Sequence, residues 1–118
     1  MVNSDPKPST LENQMTLKRV LNYVNGLRKT LGKKPLKNIP KGLRMGLDSC
    51  PIAIALDVKG ETEVVEDRIW VYDRNGKNLI DVDTPSYIQR FITDFDNGKY
   101  PKLIGNEDKI FRRKYSSK

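Results

Sequence analysis

The sequence predicts a small single α+β domain, with helices packed around a central short helix and an antiparallel β-hairpin or three-stranded sheet covering one side. Three observations carry this. Apolar residues recur at three- and four-residue steps over residues 17–31 and 87–95, the spacing of one helix face. Two β-branched and aromatic runs flank Asn75-Gly76, a strong hairpin signal. The order helix, helix, strands, helix is not the regular alternation of a parallel α/β sheet.

Taken in order, residues 1–8 hold two prolines and no apolar periodicity, and predict a disordered lead-in. Ser9-Thr10-Leu11-Glu12 has the form of a capping box at a helix start. Leu17, Val20, Leu21, Val24, Leu27 and Leu31 then line one face of an amphipathic helix that Gly32 closes. Residues 33–46 read as a basic loop pinned by Leu36, Ile39 and Leu43. The longest apolar run follows, residues 50–56. Asp48 or Ser49 is placed to cap it, Pro51 suits its first turn, and alternating Ile and Ala suit an enclosed element.

Glu63-Val64-Val65 and Arg68-Ile69-Trp70-Val71-Tyr72 predict strands, with Ile69 and Val71 on one face and Trp70 and Tyr72 on the other. Asn75-Gly76 predicts a type I′ turn, and residues 78–83 the return strand. Thr84 is placed as N-cap and Pro85 as first residue of a third helix, with Tyr87, Ile88, Phe91, Ile92 and Phe95 on its packed face and Gly98 at its end. Trp70 is assigned to the core along with that face. Residues 100–104 are predicted to run extended across the core. One domain spans 9–104, and 105–118 form a basic, flexible tail.

Composition narrows the function classes. Without histidine there is no Ser-His-Asp or Cys-His nucleophile and no His-ligated zinc, and one cysteine forms no internal disulfide. No apolar run approaches the roughly 20 residues that span a bilayer, and the N-terminus lacks the apolar core of a signal peptide. The expectation is a cytoplasmic protein with no membrane partner, no cofactor and no catalytic residue. The net charge of +7 is unevenly placed: +8 over residues 1–47, −6 over 48–98 and +5 over 99–118. Such polarity bears on partners and association.

Four constellations follow. The loop cations Lys33, Lys34, Lys37, Lys41 and Arg44, with Lys109, Arg112, Arg113 and Lys114 of the tail, suit contact with nucleic-acid phosphates, and Phe111 and Tyr115 suit stacking on bases. The hairpin acids Glu61, Glu63, Glu66, Asp67, Asp81 and Asp83 suit a basic protein surface. Cys50, placed at a helix N-terminus, is a candidate reactive thiol, against the plainer reading of a small buried hydrophobe. Asp48, Asp57, Asp81 and Asp83, with Lys59, are the carboxylates from which a metal-dependent nuclease site would be built.

Three segments carry a resemblance: Gly32-Lys33-Lys34-Pro35-Leu36 leading to Ile39-Pro40-Lys41-Gly42; Cys50-Pro51-Ile52-Ala53 with Ala55-Leu56; and residues 91–101, Phe-Ile-Thr-Asp-Phe-Asp-Asn-Gly-Lys-Tyr-Pro. Together they resemble small uncharacterised proteins of actinobacteria and their phages. The resemblance implies a phage or mobile-element origin and, with it, an interaction protein; it transfers no catalytic residue. The expected function is therefore a small basic non-enzymatic binding protein, with nucleic acid as first partner. A host protein bound through the acidic hairpin is the alternative, and a nuclease comes third.

Overall fold

Helix α1, Lys7–Thr30, opens the fold in a computed structural model that describes residues 7–46 and 48–105, with side chains from Asn13 onward. The helix begins before Ser9, so the predicted capping box lies inside it. Pro8 fits the first turn because its missing N–H falls among the four that lack an intrahelical acceptor. At the other end the Gly32 and Lys33 N–H groups donate back to the Lys29 and Arg28 carbonyls at 3.0 and 2.8 Å, closing the helix where predicted.

The apolar run forms α2, Pro51–Leu56, and all six residues are buried, as alternating Ile and Ala predict. Ile52 and Leu56 are fully hidden, each worth about 1.5–3 kcal/mol against exposure. The N-cap is Cys50, not the predicted Asp48 or Ser49, and it makes no side-chain cap bond. The Ser49 carbonyl instead accepts the Leu43 N–H at 2.7 Å. The neighbouring residue of that loop, Gly42, forms an isolated parallel bridge with Ile104. Its N–H donates to the Leu103 carbonyl at 2.8 Å, and its own carbonyl accepts the Gly105 N–H at 2.9 Å. A Cβ on Gly42 would collide with the Pro51 nitrogen and the Cys50 carbonyl carbon, so only glycine lets these backbones meet.

Three antiparallel strands follow in the order β1 (Glu61–Val65), β2 (Arg68–Tyr72), β3 (Asn78–Asp83). Strand β1 starts two residues earlier than predicted because Thr62 serves as an inward residue: Thr62 and Val64 are buried while Glu61 and Glu63 are exposed. Val65 pairs with Arg68 across a two-residue turn, Glu66-Asp67, that has no positive φ. Two-residue hairpins favour turns that do have one. Here Thr84 compensates, its N–H donating to the Asp67 carbonyl at 3.1 Å and its hydroxyl to the Glu66 carbonyl at 2.8 Å.

The second turn is also not the predicted type I′. Only Gly76 is left-handed, at φ 84°. Its N–H donates to the Asp73 carbonyl, while the Asp73 carboxylate accepts the Asn75 and Lys77 N–H groups at 2.8 and 2.9 Å. This is a type I turn closed by a glycine bulge. A further bulge in β3 puts Leu79 outside the register and 36% exposed. The Asn78 amide bridges the gap, donating to the Val71 and Ile80 carbonyls at 3.2 and 2.9 Å.

Helix α3, Ser86–Asp96, has Pro85 as N-cap, one residue later than predicted, because the Thr84 hydroxyl is engaged by the hairpin turn. Ile88, Phe91, Ile92 and Phe95 are buried as predicted. The Gly98 and Lys99 N–H groups close it on the Phe95 and Asp94 carbonyls. Residues 101–103 form a 3₁₀ turn, not an extended segment, with Tyr100 buried 5.1 Å from the Phe91 ring. Helix α1 packs on α2 and α3, and α2 packs on β1, so the helices cover one face of the sheet and leave the other open.

Candidate interaction surfaces

The basic loop is tied to α1. Asn25 clasps Leu36 both ways, its amide donating to the Leu36 carbonyl at 3.0 Å and its oxygen accepting the Leu36 N–H at 2.8 Å. Arg28 Nε donates to the Lys34 carbonyl at 2.7 Å, and its Nη1 to the Ala55 carbonyl in α2. Sequence reasoning missed both residues, because a polar side chain on a helix does not announce a backbone partner remote in sequence. Lys34, Lys37 and Lys41 are exposed and Lys33 half-buried. Arg44 stands apart: its Nε donates to the Asp96 carbonyl at 2.9 Å, and the next N–H, of Met45, donates to Asp96 Oδ1 at 2.7 Å. Arg44 braces the end of α3. Lys109, Arg112, Arg113 and Lys114, with Phe111 and Tyr115, lie outside the described residues.

Strand pairing gathers the acids. Glu63 faces Trp70, which faces Asp81; Glu61 faces Tyr72; Arg68 faces Asp83. Four of the six predicted acids, Glu61, Glu63, Asp81 and Asp83, therefore share the outer sheet face, and all are exposed. Asp67 is at the first turn. Glu66 reaches the other way, its Oε2 accepting the Thr93 hydroxyl of α3 at 3.1 Å. Arg68 lies amid the acids, 2.7 Å from Asp81 and 3.4 Å from Asp83, with its guanidinium 5.8 Å from the Trp70 ring. The hydrogen bond that Arg68 donates to Asp81 holds the charge on Arg68 more firmly still.

Trp70 is not in the core. It and Tyr72 are half-buried on the outer face, because Ile69 and Val71 are the residues of β2 that turn into the core. Strand periodicity separates the two pairs but does not say which face the helices take.

Cys50 is buried, and burial pushes its thiol up to about 11. Asp96 pushes in the same direction, while backbone N–H groups at Ala53 and Ile52 oppose it without prevailing. The plainer reading of Cys50 as a small buried hydrophobe fits, and the candidate reactive thiol does not: desolvation outweighs six residues of helix dipole. The carboxylates considered for a metal do not converge. Asp57 caps the end of α2, Asp81 and Asp83 lie on Arg68, and among the described residues no three such groups meet.

A cleft between α1 and α3 was not foreseen. Thr16, Arg19, Tyr87, Arg90, Asp94 and Tyr100 line a space of about 430 Å³. The Arg19 guanidinium lies 4.0 Å over the Tyr87 ring, which Tyr23 braces edge-on at 6.3 Å. Lys99 pairs with Asp94 at 3.4 Å. The spacing of Tyr87, Arg90 and Asp94 on one helix, and of Thr16, Arg19 and Tyr23 on the other, is the signal; reading it requires knowing that α1 and α3 adjoin.

No protein-family model matches the chain, and no curated protein or solved structure is significantly similar to it. Among the described residues no helix is long and apolar enough to cross a membrane.

Proposed function

We propose that this is a non-enzymatic binding protein that captures a basic, partly apolar segment of another protein on the outer face of its sheet. One observation carries the reading: Trp70 and Tyr72 lie together on the central strand with Glu61 and Glu63 on one side and Asp81 and Asp83 on the other. Aromatic side chains half-covered at the centre of a patch are the usual anchors of a protein interface, and charged residues at its rim steer and select the partner. Four carboxylates repel a phosphate backbone, so this face selects against nucleic acid.

The test uses the single tryptophan as reporter. Peptides selected from a library for binding should be rich in Lys and Arg around an apolar residue, and should shift Trp70 emission to the blue. Trp70→Ala, and Glu63→Gln with Asp81→Asn, should each weaken binding by about tenfold or more while folding is retained. Selected peptides that bind all variants alike would refute the assignment of this face.

The nucleic-acid reading keeps a specific support of its own. Asn25 and Arg28 hold the loop bearing Lys33, Lys34, Lys37 and Lys41 in one conformation, which reduces the ordering cost of presenting those charges. Anisotropy against labelled DNA and RNA across salt concentrations tests it. Affinity falling linearly in log salt supports it, and absence of binding at low salt removes it.

A further inference from the structure

We infer that the cleft between α1 and α3 binds a phosphate-bearing ligand of nucleotide size, held by the guanidinium groups of Arg19 and Arg90. Arg19 and Arg90 line the cleft together with one carboxylate, Asp94, and Lys99 at its edge pairs with that carboxylate at 3.4 Å. Among the described residues neither arginine has a carboxylate within ion-pair distance. Cations that outnumber the carboxylates of a cleft repel one another, and an anion placed between them removes that repulsion as it forms paired hydrogen bonds. Guanidinium suits this because its planar fork matches phosphate oxygens.

The cleft is also built in advance. The Arg19 guanidinium lies 4.0 Å over the Tyr87 ring, and Tyr23 meets Tyr87 edge-on, so the guanidinium is restrained before any ligand arrives. Its uncovered side offers a plane on which an aromatic base can stack. The Tyr100 phenol is raised chiefly by burial and accepts a hydrogen bond from Thr16, so its own O–H is the hydroxyl donor at hand for a phosphate oxygen. A volume of about 430 Å³ lies within the range of small-molecule sites. None of the outer-face acids lines it; Asp94 is the carboxylate among its lining residues, against Arg19, Arg90 and Lys99.

A free nucleotide and the terminal phosphate of a strand present the same chemistry, and the test separates them. Calorimetric titration of the full chain at low salt uses pyrophosphate, adenosine diphosphate, and a short oligonucleotide with and without a 5′-phosphate. Binding of the phosphorylated probes is expected, with Arg90→Gln and Arg19→Gln each weakening it by about tenfold or more. Arg74→Gln in the second hairpin turn, an exposed cation outside the cleft, should leave it unchanged, and circular dichroism confirms that each variant is folded. Tighter binding of the diphosphate points to a free nucleotide, and tighter binding of the phosphorylated strand points to a strand end; either supports the cleft. No heat from any phosphorylated probe, or binding indifferent to both arginine substitutions, overturns the proposal. Trp70 and the outer sheet face take no part, so the result stands or falls separately from peptide capture.

Discussion

Arg28 offers the sharpest test of how the structure is held together. Its side chain joins three segments: it projects from α1, donates Nε to the Lys34 carbonyl of the loop, and donates Nη1 to the Ala55 carbonyl of α2. Ala55 is among the last four residues of a six-residue helix, whose final carbonyls have no intrahelical donor. The helix is fully buried, so water is a poor substitute. Arg28→Met keeps an unbranched apolar stem and removes both bonds. A hydrogen bond from a charged group contributes about 1.5–3 kcal/mol, and the solvent-exposed bond to Lys34 less, so a loss of about 2–3 kcal/mol is expected. That is a large fraction of the roughly 5–15 kcal/mol that holds a domain of this kind together. Urea unfolding followed by Trp70 fluorescence and far-ultraviolet circular dichroism measures it. With a slope of about 1.5 kcal/mol/M, the midpoint should fall by about 1.3–2 M at unchanged slope. Arg28→Lys, a point charge without the fork, should recover at most half. A change within about 0.5 kcal/mol for Arg28→Met would be that of an ordinary surface substitution, and the linking role would fail.

Three further outcomes follow from buried groups. Thr62 is 1% exposed and its hydroxyl has no hydrogen-bond partner among the described residues, so Thr62→Val, equal in shape, should raise stability by about 1 kcal/mol in the same urea titration. Burial raises the Cys50 thiol from its ordinary 9.0 to about 11, so the folded chain keeps a proton that the unfolded chain releases; the stability gained is complete below pH 9 and drains away as pH rises toward 11. The loss should be about 2–3 kcal/mol, deepened above pH 10 by Tyr23 and Tyr100, which burial also raises, and Cys50→Ala should flatten the Cys50 part of the curve. Gly42→Ala drives a methyl group into the Cys50–Pro51 backbone and should destabilise by about 2 kcal/mol or more, read as a lower thermal midpoint.

What the sequence discloses and what it hides divide along a physical line. Periodicity reports burial on one element, and it placed α1, α3 and the central position of α2, whose six residues are all buried. Threonine hid the start of β1, because Thr62 reads as polar in an alternating pattern yet points inward. The Glu66-Asp67 turn carries no glycine or asparagine, and its stability comes from Thr84, seventeen residues beyond Asp67 in sequence. Trp70 shows the same limit at the candidate site. Its neighbours Ile69 and Val71 made it look like core, but the alternation that buries them turns it outward. The acidic patch was legible as a list of residues. Its contiguity with two aromatic rings depends on register, and the α1–α3 cleft on the pairing of helices far apart in the chain.

The segregated charges allow one last discrimination, between acids that hold the fold and acids that await a partner. A basic loop and an acidic sheet on one chain would neutralise each other if they folded together. Among the described residues they do not: the ion pairs are Arg68 with Asp81, Arg68 with Asp83, and Lys99 with Asp94, and none joins the loop to the hairpin. Arg68 is one cation among four outer-face carboxylates, so that face keeps a net negative charge. Exposed pairs of this kind contribute about 0–1 kcal/mol. Glu63→Gln with Asp81→Asn should therefore change the urea midpoint by less than about 1 kcal/mol equivalent, or raise it by relieving repulsion, while removing peptide capture. A loss of several kcal/mol would mean instead that these carboxylates are structural, and the outer face would lose its claim to be an interface.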